Sequence, residues 1–508
     1  AIAAGSGSMM TAFNALNGVP TTGNADLVRR LLREDWGYQG LVVSDWNAIL
    51  ELVAHGAATS PVEAAALALR AGVDMDMTSS TYADHLDAAV AADASLLPLV
   101  DEAVGRILHA KARLGLFDDP FRFGDAARER AVLGSAEHRA VARTAAQCSI
   151  VLLRNDGDVL PLARTAGIAL IGALADDASS TIGSWRARGD MEESVTLRAA
   201  LAPLGVTYAP GGSPRDPDTS GIAAADVVVL AIGEDFDHSA EARSRSDITL
   251  PGSQNALIDA IRATNKPIVA VLMNGRPLAL ETALHGIPAV LETWFLGNES
   301  GTAIADILFG AVSPAGRLPM GMPRTTGQLP QFYAHAPTGR PANADLAVDS
   351  ARYHDVDIGP LFPFGHGLSY ARFIYSDLAV TPDRAGPDVT VRVSVSVANS
   401  GSVAGDEVVQ LYIRAPVAGL ARPVQELRGF HRIALTPGDK KRLTFDLPAG
   451  TGAVWDDGGF TTHAGPVEVM VGASSDDIRV RGRFIVGQAS TNPDPIAPSA
   501  RATRVTVA

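Results

Sequence analysis

The sequence of 508 residues contains one cysteine, Cys148. A single cysteine excludes an intramolecular disulfide and any metal cluster held by cysteine thiolates, and we expect this thiol to be a small, buried apolar side chain. Apolar runs are short, and none approaches the roughly 18 residues that a membrane-spanning helix needs. Basic residues are also scarce, since 42 Lys and Arg face 56 Asp and Glu, which gives a net charge of −14. This charge argues against nucleic acid or an anionic membrane as a partner.

What remains is the composition of a globular protein, with 47% hydrophobic and 19% charged residues. A chain of this length exceeds one ordinary hydrophobic core, so we expect two to four domains. The eleven histidines form neither a His-Glu-x-x-His motif nor a paired cluster. We therefore predict no metal and no cofactor.

The most informative segment is Gly-Leu-Val-Val-Ser-Asp-Trp at residues 40–46. Its apolar residues predict a short strand that is buried on both faces, as in a parallel sheet. Asp45 then lies at the carboxyl end of that strand, where barrel enzymes hold their catalytic residues. Trp46 adds a flat apolar ring beside the carboxylate, a combination that suits a sugar.

Hydrophobic periodicity changes twice along the chain. Strand–helix alternation over the first part gives about three units, fewer than the eight strands of a closed barrel. A second α/β region follows, with strands at residues 149–153, 168–171, 227–232, 268–272 and 289–294. Beyond residue 371 the period becomes two, which predicts a β-sandwich of the fibronectin type III or immunoglobulin kind. The predicted segments are 1–118, a linker at 119–140, 141–325, a connector at 326–370, 371–487 and a loose tail at 488–508.

Together these features resemble glycoside hydrolase family 3, in particular its periplasmic bacterial β-glucosidases. The matching segments are, in chain order, residues 8–14, 17–20, 34–37, 40–46, 71–75, 151–155, 160–162, 239–247, 250–254, 274–277 and 363–370. The resemblance implies a multidomain protein of α/β and all-β parts. Its domains would be a partial (β/α)8 TIM-type barrel, an α/β sandwich domain and a C-terminal fibronectin type III-like β-sandwich.

The resemblance also shows a departure. In this family an adjacent Lys-His pair from the upstream half of the barrel binds the sugar hydroxyls, and no such pair occurs in this sequence. We expect the first five or so barrel strands to be missing from this chain. The chain is then truncated from a longer parent, or it associates with a partner, and a homodimer is left open.

Two carboxylates match the family's catalytic pair. Asp45 corresponds to the nucleophile and Glu241 to the acid/base, as a retaining glycosidase requires. Glu234, Asp235 and Asp237 are rivals for the acid/base role, although a solvated acidic loop also accounts for them.

Three aromatic residues are candidates for substrate contacts. Trp46 and Phe13 are placed to pack against a sugar, and Phe13 stands where the family more often has Tyr. Trp185 is a candidate wall of the leaving-group subsite. Core packing is the alternative for Phe13 and Trp185.

Other charged residues near these motifs have structural alternatives. Arg243 and Arg245 either orient the loop of Glu241 or form a solvated pair. Asp74 and Asp76 share one face of a strand, and with no third ligand at suitable spacing we expect hydrogen bonds there rather than a metal.

The resemblance thus implies a retaining, exo-acting β-glucosidase that is periplasmic or secreted. Two alternatives stay open. One is a β-xylosidase or α-L-arabinofuranosidase of the same family, and the other is a non-catalytic carbohydrate-binding fragment, because the barrel is incomplete.

Overall fold

The structure is a computed structural model. It describes residues 1–343, 345, 350–415, 420–456, 459–492 and 503–508. Parts of the predicted connector, 344 and 346–349, and of the predicted tail, 493–502, lie outside the described residues. The chain forms two compact units, residues 1–132 and 133–508.

A small parallel sheet forms the centre of the first unit. The strands of this unit are β1 (Ser8–Met10), β2 (Ala15–Leu16), β3 (Val19–Pro20), β4 (Leu41–Trp46) and β5 (Met75–Met77). β1, β4 and β5 are parallel in the order β1-β4-β5, with Val43 paired to Met10 on one side and to Met75 on the other. β2 and β3 form a short antiparallel hairpin.

Helices cover one face of this sheet. They are α1 (Asp26–Asp35), α2 (Glu51–Ala54), α3 (Pro61–Ala71), α4 (Thr81–Ala92), α5 (Leu97–Arg113) and α6 (Ala126–Val132). α1 has the wider π-helical hydrogen bonding. α3 begins with Ser60, whose Oγ accepts from the Glu63 N–H, and ends at Gly72, which has a φ of +100° that favours glycine. Val28, Val42 and Leu52 join the resulting core.

A six-stranded sheet begins the second unit. The strands of this region are β6 (Val151–Asn155), β7 (Ile168–Ile171), β8 (Thr207–Ala209), β9 (Gly212–Ser213), β10 (Asp216–Pro217), β11 (Val227–Gly233), β12 (Ile268–Met273) and β13 (Ala289–Glu292). The order is β6-β13-β12-β11-β7-β8, and all neighbours are parallel except β6 and β13. β9 and β10 pair separately as a hairpin.

Helices pack on both faces of this sheet. They are α7 (Ala136–Ser149), α8 (Ala178–Thr181), α9 (Leu197–Leu201), α10 (Gln254–Arg262) and α11 (Ser300–Leu308). α10 contributes Leu257 and Ile261 to the core on one face, whereas α7, α9 and α11 line the other. Every residue of β11 and β12 is buried, as expected for central strands of a parallel sheet.

Two larger sheets, antiparallel except where β15 pairs with β23, complete the second unit as a β-sandwich. The strands here are β14 (Phe373–Thr381), β15 (Arg384–Ala385), β16 (Thr390–Asn399), β17 (Gly405–Arg414), β18 (Glu426–Leu435), β19 (Lys440–Pro448), β20 (Val454–Asp456), β21 (Gly459–Thr462), β22 (Gly465–Gly472), β23 (Ile478–Val486), β24 (Ser490–Asn492) and β25 (Arg504–Val507). One sheet has the order β14-β16-β19-β25 and the other β15-β23-β22-β17-β18, while β20, β21 and β24 form a small third sheet. Alternate residues of β16, such as Val393 and Val395, fill the core between the two larger sheets.

The structure corrects three expectations. The tail is not loose where it is described, because β24 pairs with β21 and β25 pairs with β19. The linker is helical over α6 and the start of α7. Cys148 is exposed rather than buried, since α7 turns Ala146 towards the core and leaves Cys148 on its outer side.

Candidate active site

Asp45 lies near the carboxyl end of β4, the middle strand of the first unit's sheet. Val42 and Ser44 point towards the helices and are buried, so Asp45 shares the opposite face with Leu41 and Val43. Its Oδ1 accepts a 2.7 Å hydrogen bond from the backbone N–H of Trp46. The carboxylate is half-buried and thus held at a strand end without being enclosed.

Apolar side chains surround this strand end without joining the core. The exposed fractions are 64% for Trp46 and 36% for Phe13, and Met10 and Met75, which flank Val43, are exposed as well. Core packing therefore does not account for Phe13. The segment of Phe13 is fixed through Ala12, which exchanges two hydrogen bonds with Thr21 Oγ1.

Asp74, just before β5, and Asp76, within β5, both make hydrogen bonds. Asp74 is buried and binds Arg33 at 2.6 Å and Arg106 at 2.7 Å, and it also accepts from the Val42 N–H at 2.8 Å. Asp76 accepts from Ser79 Oγ at 2.6 and 2.7 Å. Both carboxylates are occupied within the protein, in the way that the sequence predicts.

Glu241 lies in the second unit, in the long loop that follows β11. Its side chain is exposed. The residues on either side have positive φ angles, +117° for Ala240 and +58° for Ala242. Residues with a Cβ atom rarely adopt such angles unless the surrounding structure imposes them, and they cluster at functional sites.

The neighbouring carboxylates have different surroundings. Glu234 is fully buried and binds Arg245 at 2.6 Å and Arg276 at 3.2 Å. The prediction of a solvated acidic loop is therefore wrong for Glu234, because two guanidinium groups compensate its charge inside the protein. Asp235 Oδ1 accepts from His238 Nδ1 at 2.7 Å, and Asp237 pairs with the exposed Arg243 at 2.9 Å.

The two arginines that either orient the loop of Glu241 or form a solvated pair differ in the structure. Arg245 is mostly buried, and besides Glu234 it contacts the carbonyl of Thr249 at 3.0 Å, so it belongs to the loop's support. Arg243 and Asp237 are both exposed and form a surface pair.

Arg276 was not singled out from the sequence as a site residue. Besides Glu234, it donates to the backbone carbonyls of His238 and Arg243, the latter at 2.8 Å. It follows β12, more than thirty residues beyond Glu241. The signal that the sequence offers is the segment 274–277, which matches the family and contains Arg276.

A second carboxyl group lies buried next to this support. Glu292, the last residue of β13, accepts from Asn274 Nδ2 and from the Trp294 N–H, both at 3.1 Å. Burial, together with the charge of Glu234, raises the pKa of Glu292 to about 8. Glu292 is therefore mainly neutral at pH 7, whereas Glu234 carries its charge towards two arginines.

Trp185 lies on a segment that is fastened to the loop of Glu241. Ser184 Oγ donates to the Phe236 carbonyl at 2.6 Å, and the Arg186 guanidinium lies 3.8 Å from the centre of the Phe236 ring. The Trp185 side chain itself is 75% exposed, so core packing does not account for it.

Of the residues predicted from the sequence, Asp45, Trp46 and Phe13 thus lie in the first unit, and Glu241 and Trp185 in the second. The described residues contain no group of three or more His, Cys, Asp or Glu side chains that could hold a metal ion. Within the same residues, every helix is too short or too polar to traverse a bilayer.

Three family models match the chain. They are the glycosyl hydrolase family 3 N terminal domain over residues 1–110, the glycosyl hydrolase family 3 C-terminal domain over 150–370 and a fibronectin type III-like domain over 407–475. The chain is also 39% identical to a periplasmic beta-glucosidase from Salmonella typhimurium, over 95% of this chain and 68% of that protein. The chain belongs to glycosyl hydrolase family 3.

Other family 3 relatives differ in their named substrates. A beta-xylosidase from Formosa agariphila is 35% identical over 87% of this chain and 64% of its own length. A crystal structure of a mutant beta-glucosidase from Listeria innocua in complex with laminaribiose is similar with a TM-score of 0.90, at 35% identity over 96% of this chain and 68% of that one. The chain thus spans about two thirds of the length of these family 3 proteins, and by family it is a glycoside hydrolase.

Proposed function

We propose that this chain is a retaining, exo-acting β-glucosidase that releases terminal β-D-glucosyl residues. Asp45 acts as the nucleophile and Glu241 as the acid/base. Trp46 and Phe13 contact the sugar, and Trp185 borders the leaving-group side.

The placement of Asp45 supports this proposal most directly. Its carboxylate lies at a strand end beside the exposed indole of Trp46, on the face of the sheet that the helices leave uncovered. A carboxylate next to an open aromatic ring provides a nucleophile and an apolar surface for a pyranose ring. The Salmonella and Listeria relatives, which are named as beta-glucosidases, support glucose as the sugar.

The chemistry proceeds in two displacements. In the first, a carboxylate oxygen of Asp45 attacks the anomeric carbon, the bond to the leaving oxygen breaks, and Glu241 gives that oxygen a proton. In the second, ionised Glu241 takes a proton from water, whose oxygen attacks the anomeric carbon and displaces Asp45. Both carboxyl groups then regain their starting protonation, and the configuration at the anomeric carbon is retained.

The nucleophile assignment is tested with 4-nitrophenyl β-glucoside. We expect Asp45→Ala to lower kcat by about 10⁴-fold or more, because no other group replaces the attacking oxygen. Asp87→Asn, which changes an exposed carboxylate of the same unit, is the matched control and should leave turnover unchanged. Equal turnover in Asp45→Ala and the wild type would disprove the role of Asp45.

The acid/base assignment is tested by rescue. Glu241→Ala should slow hydrolysis by about 10² to 10⁴-fold, and azide should restore turnover of an activated substrate by forming β-glucosyl azide. Asp235→Asn and Asp237→Asn are the matched controls from the same loop. Rescue in one of these variants instead of Glu241→Ala would transfer the role to that residue.

A β-xylosidase is the second candidate, and the Formosa relative favours it. The ratio of kcat/KM for 4-nitrophenyl β-glucoside and β-xyloside decides between the two, with α-L-arabinofuranoside as a third substrate. A ratio below one would reject glucose as the preferred sugar. Binding of glucose without turnover of any of these substrates would instead favour a non-catalytic carbohydrate-binding fragment.

We also propose that the protein works in the periplasm or outside the cell. This rests on the Salmonella relative, which is named as periplasmic. Release of the activity by osmotic shock, with a cytoplasmic marker enzyme retained in the cells, is the expected result. Activity that stays with the marker would contradict it.

A further inference from the structure

We propose that Arg276, oriented by the buried carboxylate of Glu234, is a positioning residue that fixes the backbone of the acid/base loop around Glu241. The inference rests on the proposed role of Glu241. It adds to that role the element that determines where the Glu241 carboxyl group lies.

The first step is the connection between Arg276 and the loop backbone. Its guanidinium donates to the carbonyl of His238, three residues before Glu241, and to that of Arg243, two residues after it. One planar group thus spans both sides of the loop tip. Both carbonyls accept from the same nitrogen, Nη2, while Nε binds Glu234, so the planar guanidinium holds the two carbonyls at a fixed position relative to the Glu234 carboxylate.

The second step is the support of Arg276 itself. Glu234 Oε2 accepts from Arg276 Nε at 3.2 Å, and Glu234 Oε1 accepts from Arg245 at 2.6 Å. The Glu234 side chain is fully buried, and its backbone N–H donates to the Met273 carbonyl at 2.8 Å. A buried, charged hydrogen-bonding network of this kind allows one arrangement, because any other leaves a charge unpaired.

The third step is the close packing of the loop on the turn that carries Arg276. Ser239 is buried against Gly275, where an added Cβ would lie 2.2 Å from Ser239 Oγ. Between this contact and the carbonyl of Arg243, the chain passes through the positive φ angles of Ala240 and Ala242. These two residues, one on each side of Glu241, need an external constraint to hold positive φ angles. Arg276 and Gly275 provide that constraint.

A loss of positioning has a kinetic signature that a loss of folding lacks. A misplaced acid slows the departure of a poor leaving group, which needs a proton, and leaves a good leaving group unaffected. The two test substrates are therefore 2,4-dinitrophenyl β-glucoside and methyl β-glucoside. They are compared by kcat/KM, which reports the first displacement.

The main variant is Arg276→Met, which keeps the length of the side chain and removes its donors. We expect kcat/KM for methyl β-glucoside to fall about 10 to 100-fold, while that for the dinitrophenyl substrate changes less than about 3-fold. Arg262→Met is the matched control, since Arg262 also binds a carboxylate, that of Asp259, and backbone carbonyls, but these carbonyls belong to residues 282, 283 and 285 rather than to the loop of Glu241. An equal fall for both substrates in Arg276→Met would overturn the proposal.

Two further variants separate bridging from charge. Arg276→Lys retains the positive charge, but its single nitrogen replaces both Nε and Nη2, so it cannot bind Glu234 and both carbonyls in the same arrangement. It should show the same preference for the good leaving group, and full activity in Arg276→Lys would overturn the bridging role. In a Glu241→Ala background, Arg276→Met should have no further effect on methyl β-glucoside, because the group that it positions is gone. An additional fall of 10-fold or more would also overturn the proposal.

Hydrogen exchange tests the same support without any turnover. In Arg276→Met we expect the amides of residues 236–243 to exchange at least about 10-fold faster, with β11 and β12 unchanged, and no such change in Arg262→Met. Unaltered exchange in this segment would overturn the positioning role. If the wild-type chain cleaves no glucoside, the proposed function fails, and exchange alone then decides whether Arg276 holds the loop.

Discussion

At the scale of single residues, two buried carboxyl groups differ in ionisation. Glu234 is ionised between two arginines, and Glu292 is mainly neutral because burial raises its pKa to about 8. A second negative charge at this depth would face Glu234 without a cation of its own. The proton on Glu292 therefore belongs to the folded arrangement near pH 7.

The proton on Glu292 makes stability depend on pH. Its pKa rises from 4.5 to about 8 on folding, so the stabilisation from this group is full below pH 4.5 and is lost as the pH rises towards 8. The slope is at most about 1.4 kcal/mol per pH unit. Glu292→Gln is neutral at every pH, so it does not lose this stabilisation. Measured by calorimetry, the melting temperature of Glu292→Gln minus that of the wild type should therefore increase from pH 5 to pH 8.

Glu192→Gln is the control, because it neutralises an exposed carboxylate of the same unit. Its melting temperature should follow that of the wild type at each pH. A constant difference between Glu292→Gln and the wild type from pH 5 to pH 8 would contradict the raised pKa.

At the scale of elements, the sequence predicts well where one physical signal dominates. β11 and β12 are continuous apolar runs that match the predicted strands 227–232 and 268–272 to within one residue, and β16 lies in the region of predicted period two. β18 and β25 have no such signal: β18 mixes charged and apolar residues, and β25 lies in the predicted loose tail, after a segment rich in Pro, Ser and Thr. Their pairing depends on neighbouring strands, which a local pattern does not contain.

The residues of the candidate site also differ in whether a local sequence pattern predicts them. Asp45 has a local motif, and its position at a strand end follows from the apolar run before it. The support of Glu241 through Arg276 could not be predicted, because it joins the segments that follow β11 and β12, and these two strands become neighbours only in the sheet. Glu234 likewise gives no sign in the sequence that it is buried.

The helices of the first unit are tied to its sheet through Asp74. Its carboxylate binds Arg33 of α1 and Arg106 of α5, and all three side chains are largely buried. Asp74→Asn leaves the two arginines without their anion and should lower the free energy of unfolding by about 3–5 kcal/mol. This loss is measured by denaturing the whole chain in urea and using protease cleavage within residues 1–132 to detect unfolding of the first unit.

Asp93→Asn is the matched control for Asp74. Asp93 pairs with Arg70 in the same unit, but both side chains are exposed, so solvent already screens the pair. We expect its denaturation curve to match the wild type. Similar curves for Asp74→Asn and Asp93→Asn would show that burial does not decide the strength of these pairs.

At the scale of the whole second unit, a buried ion pair joins the α/β region to the β-sandwich. Arg317, in the segment after α11, lies 3.2 Å from Glu407 of β17, and Tyr375 of β14 donates to the same carboxylate at 3.0 Å. Burial raises the pKa of Glu407, and Arg317 opposes that shift. This carboxylate thus links the α/β region to the β-sandwich, alongside a hydrogen bond from Arg432 of β18 to the Cys148 carbonyl of α7 at 3.0 Å.

Glu407→Ala should uncouple them. Removing one partner of a buried pair costs about 3–5 kcal/mol, so we expect the sandwich to melt separately, as a second and earlier calorimetric transition. Asp406→Ala is the control. The carboxylate of Asp406, the residue before Glu407, pairs with Arg432 at 3.6 Å in a partly exposed position. A single transition at the wild-type temperature in Glu407→Ala would contradict the coupling.

The exposed position of Cys148 has a practical consequence. A chain with one thiol, on the outer side of α7, reacts with maleimides or thiol-bearing surfaces at one defined atom. Immobilised through that atom, every copy presents the same orientation to the solution, and neither β4 nor the loop after β11 carries the attachment. Among covalent oligomers, oxidation gives only a disulfide-linked pair joined at Cys148, which reducing agent reverses.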